Sequence, residues 1–437
     1  MKKYLFIIGF VGTALFTACS TADDLISEKP IETPPVEEPK ETAIIVEASQ
    51  DSDVPITLGV GSSRGVTRQP IESGAGNTFS TEDKKYLGVF CLATGTQSNV
   101  DNIPSEISTN KWVKDDATGL LVRLSNVPAK VVAGNVTFMD PDDLSAVTPT
   151  ETTKHYYYPM GNWMVYNFYA YYPRETDENI SFTKGGSGVL VKYITIDGSQ
   201  DVIWGKAYPE TADPVDPAAA TDADPYCAKY IRLKGTAGYP NLEFKHLLAR
   251  FNFSIEPKDG AAWTAIDGMG GMEITDMYIS KAISSLQLIV ANKANPGTEG
   301  TLSKKDGTTG NLSIKANDKD YNLFSSTTPL ESQVSSIAIA STSVTVPGYI
   351  MLPPTGVGTE DYELCLNYSI GGEKQKEPMR VKMIPPVVPS SDPVRKEFEA
   401  GRLYNISIKV QSPQEISATA TLASWGGPVD VDPYTVE

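Results

Sequence analysis

Apolar residues recur at every second position through most of this chain, and that period constrains its fold more than anything else. In "RLYNISIKV" the residues Ile406, Ile408 and Val410 alternate with polar neighbours, and in "EISATATLASW" Ile416, Ala418, Ala420 and Leu422 do the same. In "HLLARFNFSIEP" the series is Leu247, Ala249, Phe251, Phe253 and Ile255. Period two places all of these on one face of a strand, whereas a helix would scatter them around its axis. No stretch supports a helix longer than about two turns; "SSDPVRKEFEA" is the best short candidate. The 35 glycines and 31 prolines supply the turns that many short strands need.

The strand-like runs come in two series. "KKYLGVFCLAT", "GLLVRLSNV", "AGNVTFM", "WMVYNFYAYYP", "VLVKYITI" and "DVIWGKAY" precede "PETADPVDPAAATDADP", residues 209–225, which has no period. From Asn241 onward "GMEITDMYIS", "LQLIVAN", "SSIAIASTSVTVPGYIMLP", "DYELCLNYSI" and "EPMRVKMIP" join the alternating runs above. Short strands at turn-rich spacing predict all-β sandwiches. At 437 residues the chain exceeds what one core usually supports, so two tandem domains are expected, 54–240 and 241–437.

Charge and side-chain chemistry narrow the function. The formal net charge is −17 and no stretch is strongly basic, which argues against nucleic acid as a partner. The two histidines, His155 and His246, are far apart and form no zinc-type spacing, and "GSSRG" and "GGSGV" do not join a strand to a predicted helix. No catalytic, metal or cofactor site is expected. Cys91 and Cys365 sit in strand-like runs and read as buried apolar residues, though a disulfide among Cys91, Cys227 and Cys365 stays open. The stretch "HYYYPMGNWMVYNFYAYYP", 155–173, carries nine aromatic side chains. Trp163–Tyr171 reads as a central strand covered on both faces, and Tyr156–Tyr158 as the more exposed part, where a surface glycan could stack.

The N-terminus reads as an address. "MKK" precedes an apolar run of 15 residues that ends at "FTAC", which resembles a lipobox. Residues 1–18 are then a signal peptide and Cys19 the lipidated residue of a membrane-anchored precursor. "STADDL" behind it resembles the surface-export signal of Bacteroidales lipoproteins. Residues 19–53 form a tether, with six acidic residues and four prolines between Asp23 and Lys40 keeping it extended.

A further stretch, "VPITLGVGSSRGVTRQPIESG", begins with Val54, Ile56, Leu58 and Val60 in strand alternation and runs into a loop. That loop holds Arg64 and Arg68, two of only nine arginines in the chain. In order, "KKYLGVFCLAT", "VYNFYAYYP", "SQDVIWGKA", "EFKHLLARFNFSI" and "AGRLYNISIKV…EISATATLASWGG" resemble the Bacteroidales fimbrillin family over roughly residues 54–427. The resemblance implies two transthyretin-like Greek-key β-sandwich domains and a precursor displayed at the outer membrane. It implies that an arginine-specific protease cuts after the first strand, at Arg64 or Arg68, and releases Val54–Val60. A neighbouring subunit's C-terminal strand then fills the groove and builds a fimbria that serves adhesion to a host or bacterial surface. Val429, Val431, Tyr434 and Val436 in "GGPVDVDPYTVE" are the candidate donor contacts, interrupted by Pro433. Without a donor strand the chain would be a tip or accessory subunit. The alternative is a non-polymerising glycan-binding lipoprotein that uses Tyr156–Tyr158.

Overall fold

Nearly every alternating run becomes a strand in the computed structural model. The structure describes residues 50–61, 86–95, 122–132, 134–145, 150–160, 164–182, 188–207, 226–257, 271–305, 309–317, 321–325, 329–330, 332–339, 342–355, 357, 361–388, 395–412 and 415–423. All belong to one compact unit spanning 40–437.

In chain order the first strands are β1 (Asp51–Pro55), β2 (Leu58–Gly61), β3 (Leu87–Gly95), β4 (Val122–Val132), β5 (Asn135–Phe138), β6 (Tyr157–Pro159) and β7 (Met164–Tyr172). Next come β8 (Ile180–Phe182), β9 (Gly188–Thr195), β10 (Ile203–Ala207) and β11 (Asn241–His246). Two short helices interrupt them, α1 (Pro141–Leu144) and α2 (Ala228–Lys234). Seven of these strands close into a barrel in the order β10-β11-β2-β5-β4-β3-β7, antiparallel except where β2 runs parallel to β11. The boundary expected at residue 240 thus falls one residue before a strand that pairs wholly within this barrel.

The remaining strands are β12 (Ala249–Pro257), β13 (Met272–Ile283), β14 (Ser285–Asn292), β15 (Thr301–Lys304), β16 (Thr309–Ser313), β17 (Lys315–Ala316), β18 (Ile337–Ala338) and β19 (Val344–Leu352). They continue with β20 (Tyr362–Ile370), β21 (Glu373–Lys374), β22 (Met379–Met383), β23 (Val387–Val388), β24 (Arg395–Lys396), β25 (Leu403–Ser412) and β26 (Glu415–Ala423). A five-stranded sheet, β17-β19-β12-β25-β26, and a six-stranded sheet built on β16-β13-β20 share one core. The alternation in β12 puts Phe251, Phe253 and Ile255 into that core, and β25 adds Tyr404, Ile406 and Ile408.

A third sheet, β15-β14-β9-β8, draws strands from both series. It covers the outer face of the barrel, so β7 is buried on both sides: Phe168 and Ala170 face the barrel core, Tyr169 and Tyr171 the junction core. The aromatic strand expected at 163–171 is therefore found from Met164 onward, while Trp163 lies outside the described residues.

Two expectations are corrected. Tyr158 is not exposed but wholly buried, because β6 pairs with β1 and its alternation aims Tyr158 inward between Tyr166 and Phe168. Tyr156 is only half exposed and packs edge-on against Phe138 at 5.3 Å. The helix expected around "SSDPVRKEFEA" is instead, at Arg395–Lys396, a short strand, because Val387–Val388 of β23 gives it an extended partner whose backbone groups it pairs with. Cys91, Cys227 and Cys365 are buried and none forms a disulfide.

Candidate functional site

The stretch 51–61 is the element on which the barrel depends. Val54, Ile56 and Leu58 are 6%, 5% and 0% exposed and sit in the barrel core, and Val60 packs against it. Their alternation puts all four on one face, as the sequence requires. Pro55 has no N–H to donate and closes β1, while Ile56 still bonds to Tyr156 before β2 begins at Leu58. Burying each of the three fully covered side chains contributes roughly 1.5–3 kcal/mol, a large share of what a domain has in total.

Backbone bonds fix the segment on both sides. Met160 N–H donates to Gln50 O at 2.7 Å, Ile56 N–H to Tyr156 O at 2.7 Å, Gly59 N–H to Pro240 O at 2.9 Å and Val60 N–H to Gly134 O at 2.8 Å. In β2, Leu58 lies opposite Val136 of β5, and Gly59 opposite Asn241 of β11. A Cβ on Gly59 would stand 2.1 Å from Oδ1 of the exposed Asn241 side chain, which would have to turn away to admit one.

The outward face of β1 is held by charge. Asp51 pairs with Arg123 of β4, and Asp53 with Arg232 in the last turn of α2. The Arg232 guanidinium holds the Asp53 carboxyl below its ordinary range. Arg123 also donates from Nε to Tyr157 O at 2.9 Å, and Ser52 Oγ donates to Tyr158 O at 2.6 Å. In the core behind, the Tyr158 and Tyr166 hydroxyls are buried without hydrogen-bond partners, and burial pushes both phenols well above the ordinary range.

Of the residues singled out in the sequence, Val54, Ile56, Leu58 and Val60 are thus brought together in one core. Cys19, Arg64, Arg68, Val429, Val431, Tyr434 and Val436 lie outside the described residues. Arg123 and Arg232 escaped the sequence reading. They meet their aspartates across 72 and 179 residues, and no local pattern marks such a pair. Among the described residues no group of His, Cys, Asp and Glu could hold a metal ion, and no helix is long and apolar enough to cross a membrane.

These features define an all-β protein of packed sheets whose N-terminal barrel is completed by β2, the second half of the segment 51–61. The fimbrillin-like family profile matches residues 105–425, and the chain belongs to that family, one of structural proteins of fimbriae. Among solved structures it is similar to one assigned as a cell adhesion protein of Parabacteroides distasonis, with 9% identity and a TM-score of 0.43 over 88% of this chain and 100% of that one. It is also similar to the fimbrial anchor protein Mfa2 of Porphyromonas gingivalis, with 9% identity and a TM-score of 0.31 over 85% of this chain and 97% of that one. The tip fimbrial protein Mfa3 of the same organism gives 9% and 0.27 over 85% and 100%. A comparison with curated protein sequences finds no match.

Proposed function

We propose that this chain is a fimbrial subunit, exported as a surface lipoprotein through Cys19 and assembled by exchange of its first strand. The observation that carries the reading is the placement of residues 51–61. They fill the barrel core with Val54, Ile56 and Leu58; β1 pairs with β6, and β2 sits between β5 and β11. Cutting at Arg64 or Arg68 frees this segment. The barrel then has apolar pockets and two strand edges, which a strand from another subunit can satisfy. Such a contact is head-to-tail and does not close on itself, so it propagates into a fibre. Its partners are other fimbrillin subunits, its precursor is held at the outer membrane by the lipid, and the assembled fibre serves adhesion.

Intact mass and terminal sequencing of the surface-displayed protein test this. A start at Gly65 or Gln69 is the expected result. A start at lipidated Cys19 in all of the assembled material would overturn strand removal and leave a membrane-anchored module.

A further inference from the structure

We propose that Arg123 and Arg232 form a charge clamp that selects the strand replacing residues 51–61, and that Asp430–Val436 of a second copy of this chain is the strand it fits. The inference rests on the strand-exchange reading above and adds the residues that decide which strand enters. When β1 leaves, Asp51 and Asp53 leave with it, and both guanidinium groups lose those carboxylates. Arg123 keeps its bond to Tyr157 O on β6, so its guanidinium stays beside the empty groove. In a chain of net charge −17, the groove then opens with two cations on its rim, two residues apart along the strand that has gone. An incoming strand with carboxylates at that spacing, and apolar side chains beyond them, satisfies rim and core together.

The chain contains such a segment. The first strand reads Asp51-Ser52-Asp53-Val54-Pro55-Ile56-Thr57-Leu58, and the second segment reads Asp430-Val431-Asp432-Pro433-Tyr434-Thr435-Val436. With Val54 passed over, the two align as acid-x-acid, proline, large apolar, threonine, aliphatic. The single missing residue falls between Asp51 and Pro55, where β1 already bulges against β6. A bulge absorbs a change of one residue without moving the flanking register. Pro433, an obstacle to an unbroken ladder, takes the place of Pro55, whose side chain is exposed and after which pairing resumes at Ile56. Tyr434 then replaces Ile56 and brings a hydroxyl into the core that holds the unpartnered Tyr158 and Tyr166 hydroxyls. Val436 replaces Leu58. The strand runs in the direction of the one it replaces, antiparallel to β6 along Asp430–Pro433 and antiparallel to β5 where Val436 takes the place of Leu58.

The side chains of Arg123 and Arg232 are 21% and 51% exposed, so the clamp contributes mainly register and partner choice, and little raw affinity. The test uses the full chain cut by an arginine-specific protease, with two labelled peptides as probes, residues 51–61 and residues 426–437. Both should bind, and Asp430→Asn with Asp432→Asn in the second peptide should weaken it by about threefold to tenfold. Arg123→Glu with Arg232→Glu should abolish binding of the native second peptide and accept one carrying Asp430→Lys and Asp432→Lys. Because that swap restores binding, lost folding cannot imitate the result. If the first-strand peptide binds and the second does not, or if the second binds regardless of charge, the clamp is overturned while the groove stands. If neither binds the cut chain, the groove reading falls and the clamp with it.

Discussion

Glu299 shows how a single side chain can tie separate parts of this protein together. Its carboxylate is 3% exposed, accepts bonds from the Tyr169 hydroxyl at 3.0 Å and the Asn292 N–H at 3.0 Å, and pairs with Lys206 at 2.7 Å. Tyr169 and Lys206 belong to the barrel, Asn292 to the junction sheet. Removing one member of a buried pair leaves the other charge and its donors uncompensated, which costs about 3–5 kcal/mol. Glu299→Ala should lower stability by that amount in denaturant unfolding, and a change within ±0.5 kcal/mol would refute its bridging role. Asp143 works at the surface. Its carboxylate accepts from the Thr150 and Thr152 N–H groups, which hold it at about 2 against an ordinary 3.8. A lowered carboxylate pKa stabilises the fold above the unfolded value, so this contribution is present above about pH 4 and fades as pH falls toward 2. Carboxyl NMR should show Asp143 titrating near 2; a normal midpoint would mean that the two backbone bonds do not persist in solution.

At the scale of elements, the first strand is the part whose loss changes most. Leu58 is fully buried where β2 meets β5, so Leu58→Ala should cost about 2–5 kcal/mol in the uncut chain. The same substitution should matter far less once residues 51–61 have been released, because the residue is then absent from the folded body. Comparing unfolding of cut and uncut protein measures this; equal losses in both would show that the segment stays bound after cutting. The balance of its contacts suits the exchange proposed above. Its side chains grip the core strongly while its outward contacts are two exposed ion pairs and a few backbone bonds.

For the whole molecule, the decisive feature is the sheet that joins the two series of strands. β9 pairs with β14 over most of its length, and the core beneath takes Phe90, Tyr171 and Trp204 from the barrel, Leu286 and Leu288 from β14 and Met351 from β19. Trp204 Nε1 further donates to Val290 O at 2.8 Å. A fibre subunit must carry load from one end to the other, and a shared sheet resists separation better than a flexible linker. Calorimetry of the uncut chain should therefore give one cooperative transition. Two well-separated transitions would show that the junction core does not couple the halves.

The class of structure is legible in the residues alone. Period two is a local property, and where it was unambiguous, as in β12 and β25, the strand and its buried face follow from the residues alone; in β26 the strand follows too, but Ala418 and Ala420 are buried while Leu422 at its end is exposed. It also singled out Val54, Ile56, Leu58 and Val60 as one apolar face. Tertiary structure decided what no local pattern carries. A tyrosine suits either surface or core, and only the pairing of β1 with β6 buries Tyr158. The partners of Arg123 and Arg232, and the pairing of β9 with β14 across ninety residues or more, are long-range choices. Their free energy depends on which surfaces the whole chain can bury at once, so they exist only in the assembled fold.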